Sequence, residues 1–422
     1  MASITDVAAV PTVGGFYFDD KAAIKQGAEE DGFAYRGETV TPGFDRVRKP
    51  SEAVSVQIQL EDGQVAVGEC AAVQYSGSCG RDEAFDAEKH AEIIESTVAD
   101  AFLGREADDF RDNVAVLEDL QERTGTSLHR AVEYGVSQAL LDAAAKSRRR
   151  TIAEVVADEY DTEIADEPID VYGQTGDDRY VNAEKMILKE ADVLPHGLFN
   201  TMEKTGEDGE KLLEYVEWLS NRVQELGSED YHPRIHLDTY GTIGGVFDAP
   251  YDRPEVAEYF ADLKAAADPF ELHVESPIEV DSSRADQIQA LAELRDGLQE
   301  HGVDVDVVAD EWCNTLDDVK AFVDEDAADI AQIKTPDLGS ITETIEAVQY
   351  CKDNGVEPFI GGTCAETDVS SRICAQVALA TQPLQIFAKP GMGFDEGYMI
   401  VHNEMKRALA RVERPVEAPA MI

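Results

Sequence analysis

Short apolar stretches in the middle of the chain run into a charged residue, one stretch after another. Three of them end on an acid and the fourth ends on a lysine. Side chains two positions apart on a strand share a face, so His236 and Asp238 point the same way, as do Gln332 and Lys334. Four such segments in succession favour strand ends that line a polar mouth, although a surface strand with one wetted face is the alternative for any single segment. The segments are 234–238, 272–275, 307–310 and 330–334.

The residues that end these segments have the chemistry of a metal site beside a base. Asp238, Glu275 and Asp310 offer the oxygen ligands that hard divalent cations prefer, and Lys334 offers an amine. The parallel strands of a barrel bring their carboxyl ends together at one face, where such groups meet. Glu311 is an alternative to Asp310, and only one of these two neighbours is expected to point inward because adjacent strand residues face opposite ways.

The first third of the chain has the pattern of strands followed by helices. Residues 54–60 and 65–70 alternate between apolar and polar positions across an Asp-Gly turn, which predicts a hairpin. Apolar residues at helical spacing then predict helices. Strands followed by helices are typical of an α+β unit. The predicted helices lie at about 83–101, 107–123 and 127–147.

After about residue 165, strand-like and helix-like stretches alternate, which predicts a parallel (β/α) barrel of the α/β class. We expect an N-terminal domain over 1–163, a barrel domain over 164–390 and a C-terminal helical segment over 391–422, packed back on one of the other two. Strands are predicted near 170–174, 185–189, 234–238, 271–275, 305–310, 329–334, 358–362 and 384–388. Helices are predicted at about 209–226, 253–267, 283–300, 315–324, 340–354, 366–380 and 395–412.

The composition narrows the range of partners. The 422 residues include 87 acids against 36 lysines and arginines, a net charge of −51. Such a surface repels nucleic acid and anionic membranes, so neither is expected as a partner. The acids are spread along the chain rather than gathered in a tail, which favours adaptation to high salt, where charges are screened within ~3 Å at 1 M. An acidic protein of ordinary salinity is the alternative.

The cysteine pattern and the hydropathy predict where in the cell the protein is found. The six cysteines form no CxxC pair and no cluster with histidine, which predicts free thiols in a reducing cytoplasm. The sequence shows neither the pattern of a secretory leader nor an apolar stretch of membrane-spanning length. We therefore expect a soluble, cytoplasmic protein.

Nine motifs lie in order along nearly the whole chain, at residues 15–20, 70–77, 174–180, 189–196, 238–244, 309–314, 332–339, 361–364 and 388–393. Together they resemble the 3-methylaspartate ammonia-lyases of the enolase superfamily. This resemblance implies a modified (β/α)8 TIM-type barrel under an N-terminal α+β capping domain, with Mg2+ as the cofactor and room for a monovalent cation such as K+. It also implies a homodimer and a small amino diacid as the substrate.

The resemblance implies elimination of ammonia from (2S,3S)-3-methylaspartate to give mesaconate, through loss of the C3 proton and a metal-stabilised aci-carboxylate. The metal ligands of the family match Asp238, Glu275 and Asp310. The resemblance therefore favours Asp310 over Glu311. Lys334 matches the base for the C3 proton, and we expect burial and the nearby Mg2+ to lower its pKa. His196 matches the residue on the other side of the substrate, which handles the other C3 epimer and also contacts the substrate.

The resemblance implies that the remaining site residues contact the substrate. Among them, Phe387 stands where the family has a leucine that lines the methyl pocket. The larger ring is expected to narrow the tolerance for bulky 3-substituents. His236 and His273 are expected to be core or supporting residues. The other contacts are Gln74, Gln174, Gln332, Thr363 and Cys364.

Other interpretations of the same residues stay open. Lys334 is alternatively a salt-bridge partner or a Schiff-base lysine for pyridoxal phosphate, and Cys364 is alternatively a nucleophile. Another proton-abstracting enzyme of the superfamily, such as a cycloisomerase, racemase or dehydratase, is the second functional hypothesis. A catalytically inactive barrel with a binding role is the third, although retention of all three acids and the lysine argues against it.

Overall fold

The computed structural model of the protein describes residues 2–125 and 128–414. Three predicted segments reach beyond these residues: the N-terminal domain includes residue 1, the helix predicted at 127–147 includes residue 127, and the C-terminal segment includes 415–422. In the two described ranges, no helix has both the length and the apolar character that crossing a membrane requires. All six cysteines are free thiols, as predicted.

The N-terminal sheet has three antiparallel strands, with Arg48–Leu60 between Ile4–Asp19 and Val65–Ala71. The predicted hairpin is confirmed, and Gly63 supplies the positive φ of 85° that its turn requires. The pattern did not predict Ile4–Asp19, because shifts of register interrupt the alternation of this long strand.

Helices cover one face of this sheet, and Arg130–Arg148 packs directly on the strand Val65–Ala71. Gly68 and Gly135 permit the close contact, since a Cβ on either residue would overlap the backbone of the other element. The three predicted helices are confirmed, although a π-helical turn at Ile94–Val98 divides the first one. The helices of this part are Lys21–Lys25, Ala87–Ile93, Ala99–Phe102, Phe110–Thr124, Arg130–Arg148 and Ile152–Tyr160, and a small hairpin pairs Glu29–Asp31 with Ala34–Arg36.

Eight parallel strands close into a barrel in chain order and are numbered 1 to 8 in that order. They are Val171–Tyr172, Val193–His196, Arg234–Asp238, Leu272–Glu275, Asp306–Ala309, Ile330–Ile333, Glu357–Ile360 and Gln385–Phe387. Apolar side chains fill the interior below the charged strand ends, so the barrel encloses a packed core rather than a channel. The buried cluster is Tyr172, Val193, Val308, Ile330, Phe359 and Phe387.

The strand predicted at 185–189 is wrong. This stretch belongs to the helix Arg179–Leu188, and strand 2 is Val193–His196 instead. The buried side chains of the helix include Asn182, Ala183, Met186 and Ile187, whose spacing is helical although the local apolar run resembles a strand. Pro195 within strand 2 hides that strand from a pattern search.

The helices predicted between and after the strands are confirmed. Thr315 and Thr367 begin two of them by accepting hydrogen bonds from backbone N–H groups of the first turn. The last helix, Phe394–Val412, packs against Asp368–Thr381 beside the barrel. The helices of this part are Arg179–Leu188, Met202–Thr205, Glu210–Leu226, Ile243–Val246, Pro254–Ala267, Arg284–His301, Leu316–Asp324, Thr335–Leu338, Ile341–Asp353, Asp368–Thr381 and Phe394–Val412.

Candidate active site

A cavity lies at the carboxyl ends of the barrel strands. The loop that follows the N-terminal strand Val65–Ala71 contributes Val73, Gln74 and Tyr75 to its wall, so the two parts of the chain enclose the cavity together. Every site residue predicted from the sequence borders this one space. These residues are Gln74, Gln174, His196, Asp238, Glu275, Asp310, Gln332, Lys334, Thr363, Cys364 and Phe387.

Three buried acids form an arc along neighbouring strands. Asp238 ends strand 3, Glu275 ends strand 4 and Asp310 directly follows strand 5. One oxygen from each carboxylate lies within 4.8 Å of those of the other two. Parallel register produces this closeness, since Asp238 pairs directly with Glu275 across strands 3 and 4. The predicted convergence of the three acids is therefore confirmed as geometry.

The electrostatics of the arc favour a bound cation. Burial raises the pKa of Asp238, although a hydrogen bond from His196 works against the shift. Burial raises the pKa of Glu275 well above its usual range, and the charges of Asp238 and Asp310 add to the shift. Buried acids that repel one another suit a hard divalent cation with oxygen ligands, and this donor set fits Mg2+.

Glu275 is held from two sides. The amide of Gln332 donates a hydrogen bond to one carboxylate oxygen, and the Nε2 of His236 lies 2.8 Å from the other. Gln385 donates its amide N–H to the Nδ1 of His236 at 2.9 Å, so the proton of this imidazole is on Nε2 and points at Glu275. Burial lowers the pKa of His236 well below its usual value, so the ring is neutral. His236 was expected to be a core or supporting residue, and its contact with Glu275 gives it the supporting role.

The expectation that only one of Asp310 and Glu311 points inward is wrong, because strand 5 ends at Ala309 and the alternation ends with it. Both acids border the cavity, but the carboxylate of Glu311 is paired with Arg81 at 2.8 Å and with Lys21 at 3.1 Å. Burial would raise the pKa of Glu311, but these two cations hold it well below its usual value. Glu311 thus joins the N-terminal part to the barrel.

Two basic side chains flank the arc of acids. Lys334 directly follows strand 6, and its Nζ lies 2.6 Å from Oδ1 of Asp310. His196 ends strand 2, with its Nε2 3.5 Å from Oδ2 of Asp238. Strands 2 and 6 are four apart in a closed barrel of eight, so these two side chains enter the cavity from opposite sides. His196 has a positive φ of 72°, a strained backbone conformation for a residue with a side chain.

The pKa of Lys334 depends on burial and on its charged neighbours. Burial lowers this pKa, as expected, but the carboxylates of Asp310 and Glu311 outweigh burial and raise it above its usual value. The lowering expected from burial together with Mg2+ stays a prediction, and burial by itself does not produce a net lowering of this pKa. The direct contact with Asp310 is the physical reason, since a charged amine is stabilised by the adjacent carboxylate.

The polar groups around the rest of the cavity are available to a ligand. The Oε1 atoms of Gln174 and Gln332 and the Nδ1 of His196 are buried and have no partner in the described part of the chain. Burial raises the pKa of the Cys364 thiol to about 12, so it is not an activated nucleophile. Its S–H donates to Oε1 of Gln74 at 3.3 Å.

Sequence reasoning missed five cavity residues, which are Val73, Tyr75, Arg81, Tyr240 and Gly362. Tyr240 follows Asp238 by two positions and donates its backbone N–H to that carboxylate at 3.1 Å, so its place near a predicted acid was a usable signal. Arg81 comes from the N-terminal part and pairs with Glu311 and Asp337, and no local pattern indicates such a contact.

Two family models match consecutive parts of the chain. The model described as methylaspartate ammonia-lyase N-terminus matches residues 2–161, and the model described as methylaspartate ammonia-lyase C-terminus matches residues 163–414. The chain belongs to the methylaspartate ammonia-lyase family. The resemblance carried by the nine sequence motifs is thereby confirmed.

Members of the methylaspartate ammonia-lyase family resemble the chain over nearly its whole length. The methylaspartate ammonia-lyase of Haloarcula marismortui is 56% identical over 419 residues, which cover 99% of each protein. The Mg-complex of β-methylaspartase from Clostridium tetanomorphum is 50% identical with a TM-score of 0.91, covering 98% of this chain and 99% of that one. The methylaspartate ammonia lyase of Citrobacter amalonaticus, solved with (2S,3S)-3-methylaspartic acid, is 48% identical with a TM-score of 0.94, covering 97% and 100%. The predicted barrel fold is confirmed.

Proposed function

We propose that this protein is a Mg2+-dependent methylaspartate ammonia-lyase that eliminates ammonia from (2S,3S)-3-methylaspartate to give mesaconate. The observation that carries the proposal is the cavity in which three buried carboxylates lie between Lys334 and His196. Membership of the family supports the reaction type, and the Mg-complex and the methylaspartic acid complex of two relatives support the ion and the substrate.

Asp238, Glu275 and Asp310 would hold the ion, because their oxygens converge and are the hard anionic ligands that Mg2+ prefers. When bound, Mg2+ would supply positive charge against the negative charge that builds up on the substrate carboxylate next to C3. His236 and Gln332 would keep the Glu275 carboxylate in place through their hydrogen bonds.

Lys334 would remove the C3 proton of the (2S,3S) substrate. The proton passes from C3 to Nζ, and the C2–C3 double bond forms as the bond from C2 to the ammonium nitrogen breaks. The nitrogen keeps the bonding pair and its three protons and leaves as neutral ammonia. Only the neutral amine accepts a proton, so an alkaline pH favours this step. His196, on the opposite side of the cavity, would remove the C3 proton of the (2S,3R) epimer.

The amide, hydroxyl and thiol groups around the cavity would bind the substrate without adding a repelling charge. Gln174 and Gln332 have free acceptor atoms, and each retains amide N–H groups suited to a carboxylate. Thr363 and Cys364 lie on the loop after strand 7, where the cavity meets the N-terminal part. These groups give the site its preference for a small diacid over an apolar ligand.

The other hypotheses fit the cavity less well. A phosphate-bearing cofactor such as pyridoxal phosphate would meet three carboxylates beside Lys334, and like charges repel. A cycloisomerase, racemase or dehydratase shares the barrel, but the family membership favours the ammonia-lyase. An inactive barrel would not need to maintain mutually repelling buried acids, which carry a cost in stability.

One experiment tests the proposed reaction. Purified protein is incubated with (2S,3S)-3-methylaspartate and Mg2+, and the ultraviolet absorbance of the unsaturated diacid and the released ammonia are both followed. We expect the two products in equal amounts, with none in a parallel sample that contains a chelator in excess of Mg2+. Absence of both products at saturating substrate and Mg2+, over a range of pH and salt, would refute the proposal.

Phe387 is expected to restrict the 3-substituent. Its side chain borders the cavity 5.9 Å from the His196 ring, measured between ring centroids. Replacement by leucine opens space, so Phe387→Leu should raise kcat/KM for 3-ethylaspartate relative to 3-methylaspartate by roughly 10-fold, the usual worth of one methylene in a pocket. The measurement is the ratio of the two kcat/KM values.

The matched control for this prediction is Phe359→Leu. Phe359 belongs to the same buried aromatic cluster but does not border the cavity, and its ring centroid lies 6.2 Å from that of Phe387. The control should leave the ratio of the two substrates unchanged. An equal change in both variants would mean that general repacking, and not the cavity wall, sets the ratio.

We further propose that the protein is adapted to high salt, acts in the cytoplasm and forms a homodimer, with K+ as a candidate monovalent cation. The charge of −51 supports the first part, since the Debye length shrinks from ~30 Å at 0.01 M to ~3 Å at 1 M. The cytoplasmic location rests on the cysteine pattern, and the dimer and K+ rest on the sequence resemblance.

The melting temperature and the activity should both rise steeply from dilute buffer to molar KCl. Screening removes the self-repulsion of the acidic surface, and Mg2+ should partly restore stability at low salt because it binds the native site alone. Differential scanning calorimetry across a KCl series measures the first effect, with sucrose as an uncharged control. A melting temperature that stays flat in KCl would end the high-salt proposal.

A further inference from the structure

The amide of Gln74 is held from behind by a side chain that does not border the cavity. Asp19 is 1% exposed, and its Oδ2 accepts a hydrogen bond from Nε2 of Gln74 at 2.8 Å. The backbone N–H of Asp19 also donates to the backbone carbonyl of Gln74 at 2.9 Å. Asp19 therefore contacts both the main chain and the side chain of a residue that lines the cavity.

Arg48 holds the Asp19 carboxylate in place. Its Nε donates to Oδ1 and its Nη2 donates to Oδ2, each at 2.7 Å, which makes a bidentate pair of fixed geometry. The guanidinium lies over the rings of Phe33 and Tyr35, at 4.6 and 4.9 Å from their centroids. It also donates to the backbone carbonyl of Phe33 at 3.0 Å. Neither Arg48 nor Asp19 borders the cavity.

The charge of Asp19 determines which way the Gln74 amide faces. With the amide N–H directed at the carboxylate, Oε1 lies on the cavity side, where the protonated thiol of Cys364 donates to it. The flipped amide would direct its carbonyl oxygen at the Asp19 carboxylate, which is a repulsive contact, whereas the Cys364 sulfur can act as a weak donor or a weak acceptor. The Asp19 carboxylate is thus the neighbour that favours one orientation.

We propose that Asp19, held by Arg48, is a positioning residue: it fixes the orientation of the Gln74 amide and so presents the carbonyl oxygen of Gln74 to the substrate. The inference rests on the proposed function and deepens it, since Gln74 is one of the substrate contacts. Asp19 does not touch the substrate, and its whole effect on the reaction passes through Gln74.

A double-mutant cycle tests this role. The variants are Asp19→Asn, Gln74→Ala and the double variant, and kcat and KM are measured for 3-methylaspartate at saturating Mg2+. Asparagine keeps the shape of Asp19 but offers an N–H that favours the flipped amide. We expect each single variant to lower kcat/KM by roughly 10-fold or more, and the double variant to lose no more than Gln74→Ala alone. Losses that multiply, or an unchanged Asp19→Asn, would overturn the proposal.

Two further variants separate positioning from general stability. Arg48→Lys keeps the charge but cannot form the bidentate pair, so it should cause a smaller loss than Asp19→Asn. Asp31→Asn is the matched control, because Asp31 forms an exposed ion pair with Arg36 on the small hairpin and should leave kcat/KM unchanged. A loss for Asp31→Asn equal to that for Asp19→Asn would mean that any change in this region reduces activity, and would overturn the specific role.

The free energy of unfolding of the same variants can be measured by urea denaturation. This second double-mutant cycle does not depend on enzyme turnover. Asp19 and Gln74 should be coupled in that measurement, because their hydrogen bond is broken by either change. A wild-type protein without ammonia-lyase activity would refute the proposed function, and the coupling would then decide the positioning role by itself. Zero coupling would overturn it.

Discussion

Replacement of Asp238, Glu275 or Asp310 by alanine is expected to lower kcat/KM by roughly 10²-fold or more, because each change removes an anionic ligand and shifts the position of the bound substrate. One oxygen from each of the three carboxylates lies within 4.8 Å of the other two, so each change leaves the proposed ion with two of its three anionic ligands. Steady-state kinetics across a Mg2+ series checks the loss. Chelation should abolish the activity of the wild type, and added Mg2+ should restore it.

A second measurement distinguishes loss of the ion from loss of the fold. Mg2+ should raise the melting temperature of the wild type and of Asp31→Ala, whose acid is exposed and paired with Arg36 at 2.7 Å. The three site variants should lose this Mg2+-dependent rise while remaining folded by circular dichroism. Full activity after exhaustive removal of metal would contradict the assignment, as would an absorbance band of pyridoxal that borohydride bleaches.

The sequence predicted those helices and strands whose own residues show a regular pattern of apolar and polar positions. The helices between the strands have apolar residues at helical spacing. Strands 3 and 4 end on an acid, and a charged residue directly follows strands 5 and 6. Strand 2 was missed because Pro195 lies inside it, and the neighbouring apolar run at Met186 and Ile187 belongs to a helix. The strand Ile4–Asp19 was missed because its irregular register breaks the alternation that predicts a strand.

The candidate site was predictable at strand ends and in motifs, but its supporting contacts were not. Asp238 and Glu275 could be found from sequence because each lies at the end of an apolar segment. Gln385 contacts His236 although its strand is distant in sequence. Asp19 and Arg48 do not border the cavity, and their connection to it is the hydrogen bond from Gln74 to Asp19. These contacts depend on tertiary packing, so one sequence without its fold carries no local signal for them.

Lys334→Ala is expected to suppress turnover of the (2S,3S) epimer far more than turnover of the (2S,3R) epimer, and His196→Ala should show the opposite bias. The two side chains enter the cavity from strands 6 and 2, on opposite sides of the arc of acids, so each can reach a C3 proton on one face only. Loss of a general base lowers a rate by about 10² to 10⁴-fold. The measurements are kcat for each epimer and the exchange of the C3 hydrogen with deuterium from the solvent.

Lys320→Ala and His402→Ala are the matched controls, because both residues lie outside the cavity, Lys320 beside the ring of Tyr350 and His402 stacked on Tyr398. Neither control should change the ratio of the two epimers. Equal losses on both epimers for Lys334→Ala and His196→Ala would contradict the division of the two faces. The other contrary outcome is a variant that loses deamination and retains the exchange of the C3 hydrogen with deuterium. The replaced residue would then act in a step after proton removal, and its assignment as the base would be contradicted.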